Sequence, residues 1–186
     1  MDGYSKKVGA FVHGLSLEDV PPEVRAKAKL IFLDTLGIAL ASSTMDFGHM
    51  VLDVARALGG AGESRLIGTS HKVAAANAVL ANGTLAHGLD YDDTLEEAIV
   101  HTGCCGAITA LAVGEAVGAS GRKVLEAAVA GIEVMCKVGL AAPGRFHARG
   151  FHPTALCATF GAASAAGKLY GLELSQWVNA FGICGS

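Results

Sequence analysis

Apolar positions recur with a period near 3.6 over most of the chain, and that spacing predicts helices. In PEVRAKAKLIFLDTLGIALASS, residues 22–43, Val24, Ala28, Ile31, Thr35 and Ile38 fall along one side. The Pro21–Pro22 pair opens this segment, where a missing N–H costs nothing. FGHMVLDVARALGG predicts a shorter amphipathic helix closed by its glycine pair. Within ESRLIGTS, residues 65–67 read as a short extended piece, too brief to found a sheet. Further helices are expected over residues 71–88, 104–120, 121–142, 152–171 and 172–186. APGRFHARG, residues 142–150, reads as a glycine-rich connection.

No linker and no heptad stand out. Alanine and glycine recur at spacings of three and four, and small residues let helix backbones approach closely. Glycine also lowers intrinsic helix propensity, so tertiary burial has to hold these helices. The pattern predicts an all-α chain, one helical domain over residues 1–186. Its apolar faces look unfinished, which implies either an incomplete domain or a partner that covers them.

Composition narrows the function classes. The apolar share is 52%, so the core is large for the size. The formal net charge of -3 leaves no basic face for phosphates, which argues against nucleic acid. The N-terminal lysines are followed by no apolar run of the kind a secretory signal needs. The uncharged stretch from Gly150 to Gly167 is broken by glycine, histidine and proline, and suits a buried helix better than a membrane span. Five cysteines without a CxxC pair read as free thiols in a reducing compartment. The expected location is cytoplasmic, with no membrane association.

The remaining polar residues gather in three places: HGLDYDDT (87–94), HTGCC (101–105) and GFHPT (150–154). All three lie near expected helix ends. Aspartates at such places cap helices and hold turns. Three within four residues, Asp90, Asp92 and Asp93, repel one another and need donors; a partly buried one gains proton affinity and can do acid/base work. His101 and His152 are candidates for proton transfer, the second held by the rigid start at Pro153. Thr94 and Thr154 can donate to a carboxylate or cap a turn. Two metal readings compete. DDTLE, residues 92–96, resembles the aspartate-rich motif of helical isoprenoid synthases, but no second metal motif follows. His87, Asp90, His101 and Cys104 are permissible zinc ligands without a familiar spacing. No metal is assigned.

The stretches ANGTLAHGLDYDDT, HTG with the apolar helix ending in GE, GFHPTALCATFGAASAAGKLYGL and NAFGICGS resemble, in the same order, the MmgE/PrpD family. PPEVRAKAKLIFLDTLGIALA resembles that family's opening helix. The resemblance implies part of an all-helical large domain, with the family's catalytic lysines and lid lying beyond the matched stretch. It implies a lyase or isomerase acting on a small di- or tricarboxylate by dehydration, decarboxylation or epimerisation, with no cofactor. Asp90, His101 and His152 are then the catalytic residues. Thr94, Thr154 and Arg149 would bind substrate, with Arg145 and Lys137 as further cations. Where many members have histidine-proline-glycine, this chain has His101, Thr102 and Gly103. The implied partners are the carboxylate substrate and a second copy, or a companion chain carrying the rest. The alternative is a non-catalytic helical scaffold or one subunit of a split enzyme.

Overall fold

The computed structural model describes residues 3–186. Its order is α1 (Tyr4–Gly14), α2 (Pro22–Ser42), α3 (Asp46–Leu58), β1 (Ser64–Arg65), β2 (Lys72–Val73) and α4 (Ala75–His87). A π-helical turn (Gly103–Ala107) then leads into α5 (Ile108–Ala116), followed by α6 (Gly121–Leu140), α7 (Arg145–Ala148), α8 (Pro153–Tyr170) and α9 (Leu174–Cys184). The fold is all-α, with one minute hairpin. Among the described residues no single helix is long and apolar enough to cross a membrane.

Sequence patterns explain most of these elements. Pro22 and Pro153 start α2 and α8. The Ser120 side chain accepts from the Lys123 N–H at the start of α6. Glu173 and Gln176 form a reciprocal capping box at the start of α9. Gly171, in a left-handed conformation, ends α8.

The structure corrects the expectations at several points. The helix expected from residue 71 begins at Ala75, because Lys72 and Val73 pair antiparallel with Arg65 and Ser64. A hairpin of two residues per strand carries too little periodicity to be read in advance. Ser64 hides its hydroxyl by donating to the Ala112 carbonyl at 2.6 Å. Val24 leaves the buried side of α2 and is 43% exposed, because the first turn overhangs the core. Residues 145–148 form a helical turn inside the expected connection. Helix α1 has no counterpart among the sequence expectations.

Helices α6 and α8 form the central pair. A side chain at Gly131 would stand 2.9 Å from the Gly161 carbonyl oxygen, so glycine is what permits this approach. The π-helical turn lies against the same seam: a side chain at Gly131 would also meet the Gly106 α-carbon at 3.5 Å. Leu85, Ile108, Leu52 and Leu66 fill the core between α3, α4, α5 and the hairpin. Val12, Ala130, Val134, Trp177 and Phe181 fill a second core beneath α1.

A buried charge knot ties the N-terminal region to the centre. Lys168 Nζ donates to the Val12 and Leu15 carbonyls at 2.9 and 2.6 Å, and lies 3.6 Å from Glu126 Oε1. Glu126 accepts from the Leu17 N–H and from Lys123 Nζ, each at 2.9 Å. Burial pushes the Glu126 carboxyl upward. The Lys123 and Leu17 hydrogen bonds and the Lys168 and Lys123 charges outweigh it and leave the group below its ordinary value of 4.5. Because the folded-state value is the lower one, this stabilisation is complete above about pH 5 and is lost as pH falls. Glu126→Gln is expected to cost about 2 kcal/mol at neutral pH. The variant should also lose less further stability than the parent between pH 5 and 3. Thermal melts across that range check it; parallel curves for the two proteins would refute the assignment.

Candidate active site

The three polar stretches meet. His87 closes α4, the loop from Gly88 to Val100 follows, and His101 precedes the π-helical turn. His152 is the N-cap of α8. The His87 and His101 ring centroids lie 4.7 Å apart, and those of His87 and His152 lie 5.9 Å apart.

Asp92 stands between the first two rings. Its side chain is 0% exposed. Its Oδ1 lies 3.0 Å from His87 Nδ1 and 3.2 Å from His101 Nδ1. The family resemblance singles out Asp90 among the three aspartates, but the one that contacts both imidazoles is Asp92. Its signal in the sequence was the spacing of five from His87, which lets the loop return one carboxylate onto the ring at the helix end.

Asp93 holds the loop in place. Thr102 donates to Asp93 Oδ2 through its hydroxyl at 2.6 Å and its N–H at 3.2 Å. The Gly103 N–H donates to Oδ1 at 2.8 Å. A proline at position 102 would lack both Thr102 donors, so the chain's departure from histidine-proline-glycine supplies two of these three bonds. A Cβ on Gly103 would collide with Asp93 and Thr35. Asp93→Ala is expected to cost about 1–3 kcal/mol, because three donors lose one acceptor. An unchanged unfolding midpoint would refute that role.

Asp90 lies at the rim. It has φ of 55°, a left-handed conformation that aspartate tolerates, and its side chain is 81% exposed. Its Oδ1 is 3.8 Å from His101 Nε2. The Thr94 hydroxyl donates to the Asp92 carbonyl at 3.2 Å and lies 3.3 Å from His101 Nδ1. The Thr154 hydroxyl accepts from the His101 N–H at 3.1 Å. Both threonines therefore brace the His101 segment. Arg145 and Arg149 are exposed on and beside α7 and make no ion pair among the described residues. Lys137 faces the groove between α1 and α6 and pairs with Glu133 at 3.4 Å, away from the imidazoles.

The hydrogen-bond pattern assigns proton positions. His101 Nδ1 faces two acceptors: the Asp92 carboxylate, and the Thr94 oxygen, whose own hydrogen points to the Asp92 carbonyl. His87 Nδ1 faces Asp92. Both rings carry hydrogen on Nδ1 in their neutral form and leave a lone pair on Nε2. His152 is the reverse: its Nδ1 accepts from the Ala155 N–H at 3.4 Å, so Nε2 carries the hydrogen. Cys104 sits beside this set, but burial, reinforced by the Asp92 charge, pushes its thiol far above the ordinary value. It is a neutral thiol that donates to the His101 carbonyl at 3.5 Å.

The all-α architecture is consistent with an MmgE/PrpD N-terminal domain. The chain belongs to that family, whose N-terminal domain model matches residues 6–186. It is similar to the cis-aconitate decarboxylases of Mus musculus (26% identical over 96% of this chain) and Homo sapiens (28% over 92%). It is also similar to that of Aspergillus terreus (25% over 97%). The matches cover only 37–38% of those relatives, so the chain spans less than two-fifths of their length.

Proposed function

We propose that the chain carries acid/base residues of a lyase or isomerase acting on a small di- or tricarboxylate. The observation that carries this reading is the split of ring partners: two imidazoles whose Nδ1 faces the Asp92 carboxylate, beside one whose Nδ1 accepts from a backbone N–H. Removing a proton next to a carboxylate needs a base, and releasing hydroxide or protonating the product carbon needs an acid. His101, backed by Asp92, is the base; His152 is the acid. Asp90, at the rim beside His101 Nε2, exchanges the proton with solvent. The family relationship supports a carboxylate substrate, and the decarboxylase relatives make cis-aconitate the first compound to try. No step requires a cofactor. Arg149 and Arg145, exposed in the segment just before His152, would hold substrate carboxylates, with Thr94 and Thr154 keeping His101 aimed.

A second reading has its own observation, the open rim combined with coverage of under two-fifths of the relatives. The chain would then be a helical scaffold, or one subunit of a split enzyme completed by a companion. Exposed Leu30, Leu33 and Leu40, on one stripe of α2 with Gly37, supply a face for that companion or for a second copy. Leu33→Lys, at a position 70% exposed, should shift the mass in light scattering toward the monomer without changing the melting temperature.

The test is incubation with cis-aconitate and citrate-like acids in deuterated water, with and without a companion chain. Proton NMR should show solvent deuterium entering the carbon next to a carboxylate. His152→Ala should slow this by about 10²–10⁴-fold and Asp90→Asn by less. If no acid binds in calorimetry under either condition, the scaffold reading holds instead.

A further inference from the structure

We infer that a divalent transition-metal ion binds within the cluster of His87, Asp90, Asp92 and His101 and silences it. The silencing rests on the proton-transfer reading above; the binding does not. One ligand atom from each of the four residues lies within 4.8 Å of the other three. An ion with bonds of about 2.0–2.2 Å holds neighbouring ligands roughly 3 Å apart and opposite ligands roughly 4 Å apart. The pairs His87 Nδ1–Asp92 Oδ1 at 3.0 Å and His101 Nδ1–Asp92 Oδ1 at 3.2 Å already have the shorter spacing. The Asp90 carboxylate stands 3.8 Å from the other nitrogen of that ring, His101 Nε2, and has to turn toward Nδ1 to join the set.

The setting differs from a solvated acidic patch. Asp92 is fully buried and aimed between two imidazoles, so its carboxylate is already desolvated and fixed. Asp90 has an exposed side chain that can turn inward to complete the set. Two carboxylates and two neutral imidazoles give a donor charge that a dication balances. The ligand chemistry selects the ion: imidazole nitrogen with carboxylate oxygen suits zinc, cobalt or nickel, whereas calcium and magnesium favour oxygen throughout. The sequence offered no zinc spacing because the fourth donor is Asp92 in place of Cys104, and only the folded loop brings it to the histidines. An ion on Asp92 and the two Nδ1 atoms would move each neutral ring's hydrogen to Nε2 and so remove the lone pairs that proton transfer uses. A polycarboxylate would compete, since it chelates the same ions.

The experiment titrates the full chain with Co²⁺ in a buffer free of carboxylates, followed by visible absorption and calorimetry. One Co²⁺ per chain is expected, with a ligand-field spectrum that Zn²⁺ bleaches. His87→Ala and the near-isosteric Asp92→Asn should each weaken binding at least tenfold, with circular dichroism confirming that both are folded. His152→Ala, outside the four donors, should leave Co²⁺ affinity unchanged while slowing deuterium exchange. Absence of saturable Co²⁺ binding would overturn the inference. So would one-to-one binding that neither donor variant weakens, since the ion would then sit elsewhere. If Co²⁺ binds as expected but no carboxylate is bound or exchanged, the catalytic reading fails and the metal site stands.

Discussion

Asp92→Asn is expected to slow proton transfer by about 10²–10⁴-fold while leaving the chain folded. The variant changes one atom of a side chain that is 0% exposed and contacts two imidazoles. A carboxylate only accepts, so it keeps hydrogen on Nδ1 of His87 and His101 and leaves Nε2 free. An amide can donate. The substituted side chain would offer its N–H₂ to one Nδ1, move that ring's hydrogen to Nε2 and remove the base. In serine proteases, the same exchange behind the catalytic histidine costs about 10⁴ in turnover by that route. The measurement is the rate of deuterium incorporation beside the thermal midpoint. Rates within about threefold of the parent, in a folded protein, would remove Asp92 from the proton path. A pH–rate profile adds a discriminating readout, because a tautomer defect lowers the plateau whereas a purely structural defect lowers the melting point.

Trp177→Ala should be among the most destabilising substitutions, at about 3–5 kcal/mol. Trp177 is 1% exposed and stacks on Phe181 with centroids 5.6 Å apart. Side chains at Gly9 and Gly167 would each meet the tryptophan side chain at 2.6 Å, so helices α1 and α8 close on its two ends. The one side chain thereby joins both helices to the second core. For a chain of this size the loss corresponds to a midpoint lower by roughly 6–20 °C. Because Trp177 is the only tryptophan, calorimetry or circular dichroism has to report the change rather than fluorescence. A shift under about 3 °C would mean that α1 docks without it.

The fold was legible where one physical signal dominated. Pro22, Pro153 and the glycine at 171 punctuate helices through backbone geometry alone, and those boundaries fall within a residue of expectation. The hairpin at 64–73 was legible on one side only: residues 65–67 read as extended, but Lys72 and Val73, which pair with Arg65 and Ser64, are too short a run to be told from the start of the next helix. Helix α1 was silent for another reason: its position depends on Lys168, more than 150 residues away. At the site, residue type exposed the three stretches but could not rank their aspartates. Asp90, Asp92 and Asp93 differ in role only because the loop turns at Asp90, buries Asp92 between two rings and hands Asp93 to the Thr102–Gly103 donors. That ranking is a property of a closed loop, and local pattern contains no information on it.

The π-helical turn at Gly103–Ala107 carries a constraint of another kind. The Ile108 N–H reaches the Gly103 carbonyl, five residues back, so the turn holds one residue more than an α-helix would. Each residue of an α-helix advances the chain by about 100°. Removing Cys105 would let the segment relax into ordinary α-helix, but everything before it would swing by that angle relative to α5. The Thr102 and Gly103 donors would turn away from Asp93, and His101 would leave its neighbours. Drift in this stretch of the gene should therefore be limited in length as well as in letter: Gly103 and Gly106 have no room for a side chain, and single-codon deletions do not survive even at the less crowded Cys105.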